Sequence, residues 1–248
     1  MKKFIVALAV ALFTAVSVLG VYKFISGGEK ETEHPLKGYK IPTIEELGIS
    51  DKINENSFGL YFYDNGRYVN IAKETVNVDL DKPIKIHTHG MNYETGYTDV
   101  LTFPEKEYWT THNIFIFRWS PFADNVSAKR ITTEEWSKTP GTMFAYPGPN
   151  GERLVETVDV PPYSIAEIYA AHYYQLMKTY DFKTNDIHFS GHSMGGQLTV
   201  ALASYLITMV EAGALEKEYM PSRFTLLDPY MDNLPYNTVV DWLGEPIG

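Results

Sequence analysis

The 248-residue sequence predicts an α/β domain with a mainly parallel sheet, and three observations carry that expectation. Short β-rich runs alternate with helical patterns along its second half. An antiparallel hairpin signal precedes them. The segments richest in polar chemistry fall where β-runs end, and ligands sit beyond the carboxyl ends of strands in sheets of this kind.

The hairpin comes first. SFGLYFYDNGRYVNIAKETVNV holds two aromatic or β-branched runs around Asp64-Asn65-Gly66, a strong turn signal. After Lys82-Pro83, IKIHTHGM and NIFIFRWSPF read as buried strands of the central sheet. From Ala123 to Pro162, prolines and glycines interleave, which predicts an irregular insertion over one end of the sheet. Ser164-Ile165-Ala166-Glu167 is an S-x-x-E capping box. It opens a helix whose one face carries Ile165, Ile168, Tyr169, His172, Tyr173, Leu176, Met177 and Tyr180. DIHFS predicts a strand, GHSMGG a sharp turn, and QLTVALASYLITMVEA a nearly uniformly apolar, and therefore buried, helix that stops before Gly213. RFTLLDPY supplies a last short strand ending at Asp228-Pro229.

Ahead of this domain, residues 1–22 have a basic start at Lys2 and Lys3 and no charge from Phe4 to Tyr22. That is the pattern of an export signal, cut after Ser17 or Gly20, or of a retained membrane anchor of about 20 residues. Residues 23–50 form a polar linker and entry segment, and 51–248 the domain. The expected place is therefore outside the cell, secreted or attached to the membrane through residues 4–22.

Composition narrows the chemistry. With 21 Lys+Arg against 31 Asp+Glu the net charge is −10, and loss of the first 20 residues takes it to −12. No basic footprint for nucleic acid is present. The absence of cysteine removes a thiol nucleophile, a thiolate zinc site and disulfides. His87-Thr88-His89 places two imidazoles at i and i+2, but the metallo-hydrolase pattern needs Asp and His where Met91 and Asn92 stand, so no metal and no cofactor is expected.

Gly191-His192-Ser193-Met194-Gly195 fits G-x-S-x-G, a strand-to-helix turn that lifts a serine hydroxyl above a sheet. Gly191 and Gly195 stand where strand and helix pack too closely for a side chain. Ser193 is the candidate nucleophile. The Met194 N–H, at the positive end of the new helix, gives half an oxyanion hole. The second N–H is expected from Met91, after His89-Gly90. Asp228 reads either as the acid that orients a base or as a turn cap before Pro229.

In their order, HTHGM, NIFIFRWS, the capped helix, DIHFSGHSMGG and FTLLDPY resemble the lipases of the α/β-hydrolase fold, especially the pancreatic-lipase-like group. The resemblance covers roughly residues 84–230. It implies an α/β-hydrolase-like sheet with helices on both faces, an oxyanion N–H at Met91, a tryptophan after the next strand at Trp119, an elbow at Gly191–Gly195 and an acid at Asp228. The implied activity is serine ester hydrolysis on a lipid or other ester. The family's base is a histidine beyond the acid, whereas all seven histidines here precede Ser193 and 20 residues follow Asp228. Three expectations follow: a fragment lacking the last strands and the histidine, an inactive binding protein of the same fold, or a substitute histidine, with His89 the nearest.

Overall fold

The computed structural model describes residues 58–64, 66–91, 111–123, 142–147, 149–150, 152–158 and 163–230. The expected signal or anchor at 1–22 and the linker at 23–50 lie outside them. Eight strands are described: β1 (Phe58–Asp64), β2 (Arg67–Asn70), β3 (Ile84–Thr88), β4 (Asn113–Trp119), β5 (Thr142–Pro147), β6 (Arg153–Val158), β7 (Ile187–His192) and β8 (Arg223–Leu227). The helices are α1 (Ser120–Ala123), α2 (Ile165–Thr179) and α3 (Met194–Glu211), with a 3₁₀ turn at Lys217–Tyr219.

Six strands form one mixed sheet in the order β2-β1-β4-β3-β7-β8. β1 runs antiparallel to both β2 and β4, and β4, β3, β7 and β8 are mutually parallel. The chain is thus an α/β protein with an antiparallel hairpin at one edge, as the alternation of elements predicts. β3 and β4 occupy the middle and are buried along their whole length, in keeping with their unbroken apolar character.

Strand alternation sorts the side chains between two faces. One face carries Ile84 and Ile86 of β3, Phe115, Phe117 and Trp119 of β4, and Ile187 and Phe189 of β7, and α2 and α3 pack on it. The Tyr169 ring of α2 stacks on Phe117 with centroids 3.8 Å apart and meets Phe189 edge-on. Full burial of such a side chain contributes about 1.5–3 kcal/mol. The opposite face is mixed, with Lys85, His87, Arg118, His188 and Ser190 beside the buried Ile114, Ile116 and Tyr61. No described helix lies on it, so the expectation of helices on both faces is met on one face only among the described residues.

The helix ends follow their local signals. Ser164 Oγ accepts from the Glu167 N–H at 3.2 Å and the Glu167 carboxylate accepts from the Ser164 N–H at 2.7 Å, completing the capping box. At the end of α3 the Ala214 N–H bonds back to the Met209 carbonyl around Gly213, whose φ of 72° suits glycine.

Two expectations are corrected. The stretch from Ala123 to Pro162 is not irregular throughout: β5 and β6 pair as an antiparallel hairpin from Thr142↔Val158 to Pro147↔Arg153. Pro147 closes its strand at the turn, where a missing N–H costs least, so the proline marks the hairpin end rather than disorder. Helix α3 is not buried all round, since Ile207 is 43% exposed. Its inner stripe (Leu198, Leu202, Tyr205, Leu206, Met209) meets the core and its outer stripe faces outward.

The sheet order fixes where a site belongs. β3 leads to β4 on one side, while its other neighbour, β7, leads to β8 on the far side. The chain leaves these adjacent strands in opposite directions, the arrangement that in open α/β sheets marks the ligand crevice at the carboxyl ends.

Candidate active site

Three strand exits meet at that crevice: His89–Met91 after β3, Ser193 after β7, and Asp228–Tyr230 after β8. Ser193 has φ 51° and ψ −123°, a backbone state that side-chain-bearing residues rarely adopt. It is the N-cap residue of α3, yet its side chain makes no capping bond. A serine at that position ordinarily turns its oxygen back on the helix. Here the residue is half-buried and its hydroxyl leaves the helix end uncapped.

The flanking glycines are demanded by contact with backbone. A Cβ on Gly191 would lie 2.3 Å from the Gly195 carbonyl oxygen, and one on Gly195 would lie 2.1 Å from that of His89. A Cβ on Gly90 would meet Ser193 Cβ at 2.9 Å and His192 Nδ1 at 3.2 Å. The β3 exit therefore packs directly on the serine turn. The Ser193 N–H donates to the Leu227 carbonyl at 3.0 Å, and the Ser193 carbonyl accepts from the N–H groups of Gly196 at 2.9 Å and Tyr230 at 3.0 Å.

Met194 is the first residue of α3 and is buried, so its N–H is one of the helix's orphan donors at the positive end of the dipole. Met91 is half-buried and packs against the core. Asp228 is exposed, with φ 45°. Ser193, Met194, Gly191, Gly195, Met91 and Asp228 thus all fall in the crevice region at neighbouring strand ends.

The histidines separate by environment. His89 Nδ1 lies 2.7 Å from the Gly90 carbonyl oxygen, which only accepts, so Nδ1 carries the proton. Its Nε2 accepts from the Trp119 N–H at 3.1 Å and lies 3.3 Å from Ser120 Oγ. Both nitrogens are spent, which removes His89 as a substitute base. Burial lowers its pKa to about 4, against the raising effect of the bond to the Gly90 carbonyl. His87, buried on the face opposite the helices, pairs with Ser190 Oγ at 3.0 Å and is lowered to about 3, first by burial and then by the nearby His89, Lys85 and His192. His188 pairs with Thr225 Oγ1 at 2.8 Å. His172 is enclosed by Phe58 and Phe117. His192 is exposed beside Gly90. No described histidine hydrogen-bonds Ser193.

Sequence reasoning missed several supports. The Trp119 indole N–H donates to the His89 carbonyl at 2.8 Å, Thr199 Oγ1 donates to the Gly195 carbonyl at 2.7 Å, and Tyr169 Oη lies 3.1 Å from Thr88 Oγ1. Thr199 was findable, since a threonine four residues after a helical position bonds its carbonyl. No group of acidic or histidine side chains suited to a metal ion occurs among the described residues. A cleft of about 530 Å³ lined by Lys178, Tyr180, Phe182, Lys183 and Tyr219 opens at the other end of β7, around Ile187, and has no part in this crevice. Comparison of the chain with protein-family models, curated proteins and solved structures gave no match.

Proposed function

We propose that the chain is an exported serine ester hydrolase of lipase or esterase type, with an α/β-hydrolase-like domain acting on a lipid or other ester. The observation that carries this is Ser193: a strained N-cap serine, hydroxyl uncommitted to the helix, set between three strand exits. A merely structural serine gains nothing from such a backbone, and strain of about 1–3 kcal/mol persists where the surroundings impose it.

In the mechanism, Ser193 Oγ forms a bond to the ester carbonyl carbon as its proton passes to a base, and the carbonyl electron pair moves to oxygen. The Met194 and Met91 N–H groups receive that oxyanion. Collapse expels the alcohol and leaves an acyl-serine, which water hydrolyses by the reverse proton path. Asp228 is the acid that orients the base. The base is not supplied by any described histidine in its present hydrogen bonding.

That last observation favours a second reading, an inactive relative that binds esters without turning them over. A fluorophosphonate probe separates the two. Labelling of the folded protein that Ser193→Ala abolishes supports the hydrolase; absence of label on a folded sample supports the binding protein. Export and attachment through residues 4–22 belong to the same proposal. No described helix is long and apolar enough to cross a membrane. Fractionation of cells expressing the full chain tests export.

A further inference from the structure

On the strength of the hydrolase reading above, we infer that His89 is a positioning residue. It locks the Gly90–Met91 peptide from behind, through a relay that starts on the neighbouring strand β4, and so aims the Met91 N–H at the space over Ser193.

The relay is continuous. The Trp119 N–H donates to His89 Nε2 at 3.1 Å, with Ser120 Oγ at 3.3 Å beside it. A donor on that nitrogen forces the ring proton onto Nδ1, and Nδ1–H donates to the Gly90 carbonyl at 2.7 Å. The Gly90 carbonyl and the Met91 N–H belong to one trans peptide and point in opposite directions. Holding the carbonyl against the imidazole therefore turns the N–H to the far side of the peptide. Gly90 itself is pressed on Ser193, 2.9 Å from the Ser193 Cβ to where a Gly90 Cβ would stand.

A second clamp fixes the preceding peptide. The Trp119 indole N–H takes the His89 carbonyl at 2.8 Å, and that same carbonyl closes on Gly195, leaving no space for a side chain there. The imidazole and indole rings lie 5.8 Å apart, tilted by 31°. Trp119 thus holds both ends of His89, its ring by the main-chain N–H and its carbonyl by the side chain. With the ring half-buried and both nitrogens engaged, the group neither exchanges protons with a substrate nor swings to another partner.

Two amide replacements split the relay. Asparagine carries its N–H at the level of Nδ1 and retains a donor for the Gly90 carbonyl while losing the Nε2 acceptor. Glutamine reaches the level of Nε2, retains the acceptor for the Trp119 N–H and loses the Nδ1 donor. The experiment measures kcat and KM for a soluble p-nitrophenyl ester and the rate of fluorophosphonate labelling, with thermal unfolding of each variant. The expected result is a fall in kcat of about 10²-fold in His89→Gln with KM nearly unchanged, as for loss of an oxyanion donor, and at least tenfold recovery of kcat in His89→Asn. Trp119→Phe, which keeps the main-chain donor but removes the indole N–H, gives an intermediate fall. Equal kcat in folded His89→Gln and wild type overturns the inference while leaving the hydrolase reading intact. Parallel losses of kcat and thermal stability in both amide variants, with no recovery in Asn, overturn it in favour of a packing role. A wild-type protein that is folded, unlabelled and inactive overturns the hydrolase reading and this inference together.

Discussion

Ser193 and Asp228 stand at the carboxyl ends of the adjacent parallel strands β7 and β8, and both have positive φ, 51° and 45°. Among the described residues they are the two non-glycine positions with that sign. They are bracketed by one pair of hydrogen bonds, from the Ser193 N–H to the Leu227 carbonyl and from the Tyr230 N–H to the Ser193 carbonyl. Each turn is thereby held by its neighbour. Such strain costs about 1–3 kcal/mol per residue and survives only when surrounding bonds over-determine it. Its concentration on the two residues that a serine hydrolase needs at neighbouring strand ends links the backbone to the proposed chemistry.

Substitution at Ser193 separates strain from chemistry. Ser193→Ala keeps a Cβ in the same backbone state, so its unfolding temperature stays within a degree or two of wild type while labelling disappears. Ser193→Gly also abolishes labelling but relieves the strain, and after the entropic penalty of glycine it remains more stable than the alanine variant by about 1 kcal/mol. Paired thermal melts check the difference. An alanine variant as stable as the glycine variant would mean that the turn is unstrained.

The two glycine environments predict opposite sensitivities. A Cβ at Gly195 would stand 2.1 Å from a backbone oxygen that the Trp119 indole already holds, so Gly195→Ala loses about 3 kcal/mol or more, or loses the native turn. Gly66, with φ 90°, has no atom within 4 Å of its would-be Cβ, so Gly66→Ala carries only backbone strain, about 1 kcal/mol. Urea midpoints of the two variants test the ranking.

What the sequence revealed and what it hid divide along range of interaction. β3, β4, the Ser164–Glu167 capping box and the close of α3 at Gly213 were legible because each rests on contacts within a few residues. Ser193 with its glycines was legible for the same reason. The β5–β6 hairpin was obscured because Pro147, among its neighbouring prolines and glycines, reads as irregularity in the sequence, whereas it ends a paired strand. Sheet order was not legible, since nothing local says that β1 lies inside β2. Nor was the fate of the histidines: His89 is taken by Trp119, 30 residues on, and His87 by Ser190, 103 residues on. Such pairs are set by strand register, which appears only when the sheet is assembled.

Acid lability follows from the buried imidazoles. His87 is held at about pKa 3, and His89 and His172 at about 4, chiefly by burial, against an ordinary value of 6.5. A group with a depressed folded pKa binds fewer protons folded than unfolded at every pH between the two values, so stability rises with pH across that window. The contribution is complete above about pH 6.5 and is lost as pH falls toward 4. A loss on the order of several kcal/mol between pH 7 and pH 4.5 is expected from the three together. Urea midpoints at pH 7, 5.5 and 4.5 should decline progressively; a flat profile would contradict neutral burial of these rings.

His172 offers the cleanest single test of that account. Its ring meets Phe58 and Phe117 edge-on at 5.7 and 5.9 Å, and neither ring nitrogen has a hydrogen-bond partner. A buried polar group left unsatisfied costs about 1–3 kcal/mol, and phenylalanine fills nearly the same shape without it. Gly59 lies beside the ring without a side chain to crowd it; a Cβ there would come within 3.3 Å of His172 Cε1. His172→Phe is therefore expected to gain about 1–2 kcal/mol at pH 7, a rise of several degrees in the unfolding temperature. It also removes one titrating group, so the loss of stability between pH 6.5 and 4 becomes shallower than in wild type. His172→Ala, which leaves a cavity beside Phe117, should lose about 2–4 kcal/mol by comparison. A phenylalanine variant less stable than wild type, with an unchanged pH profile, would show that the imidazole nitrogens are satisfied and that this histidine is not the burden on the core that its surroundings imply.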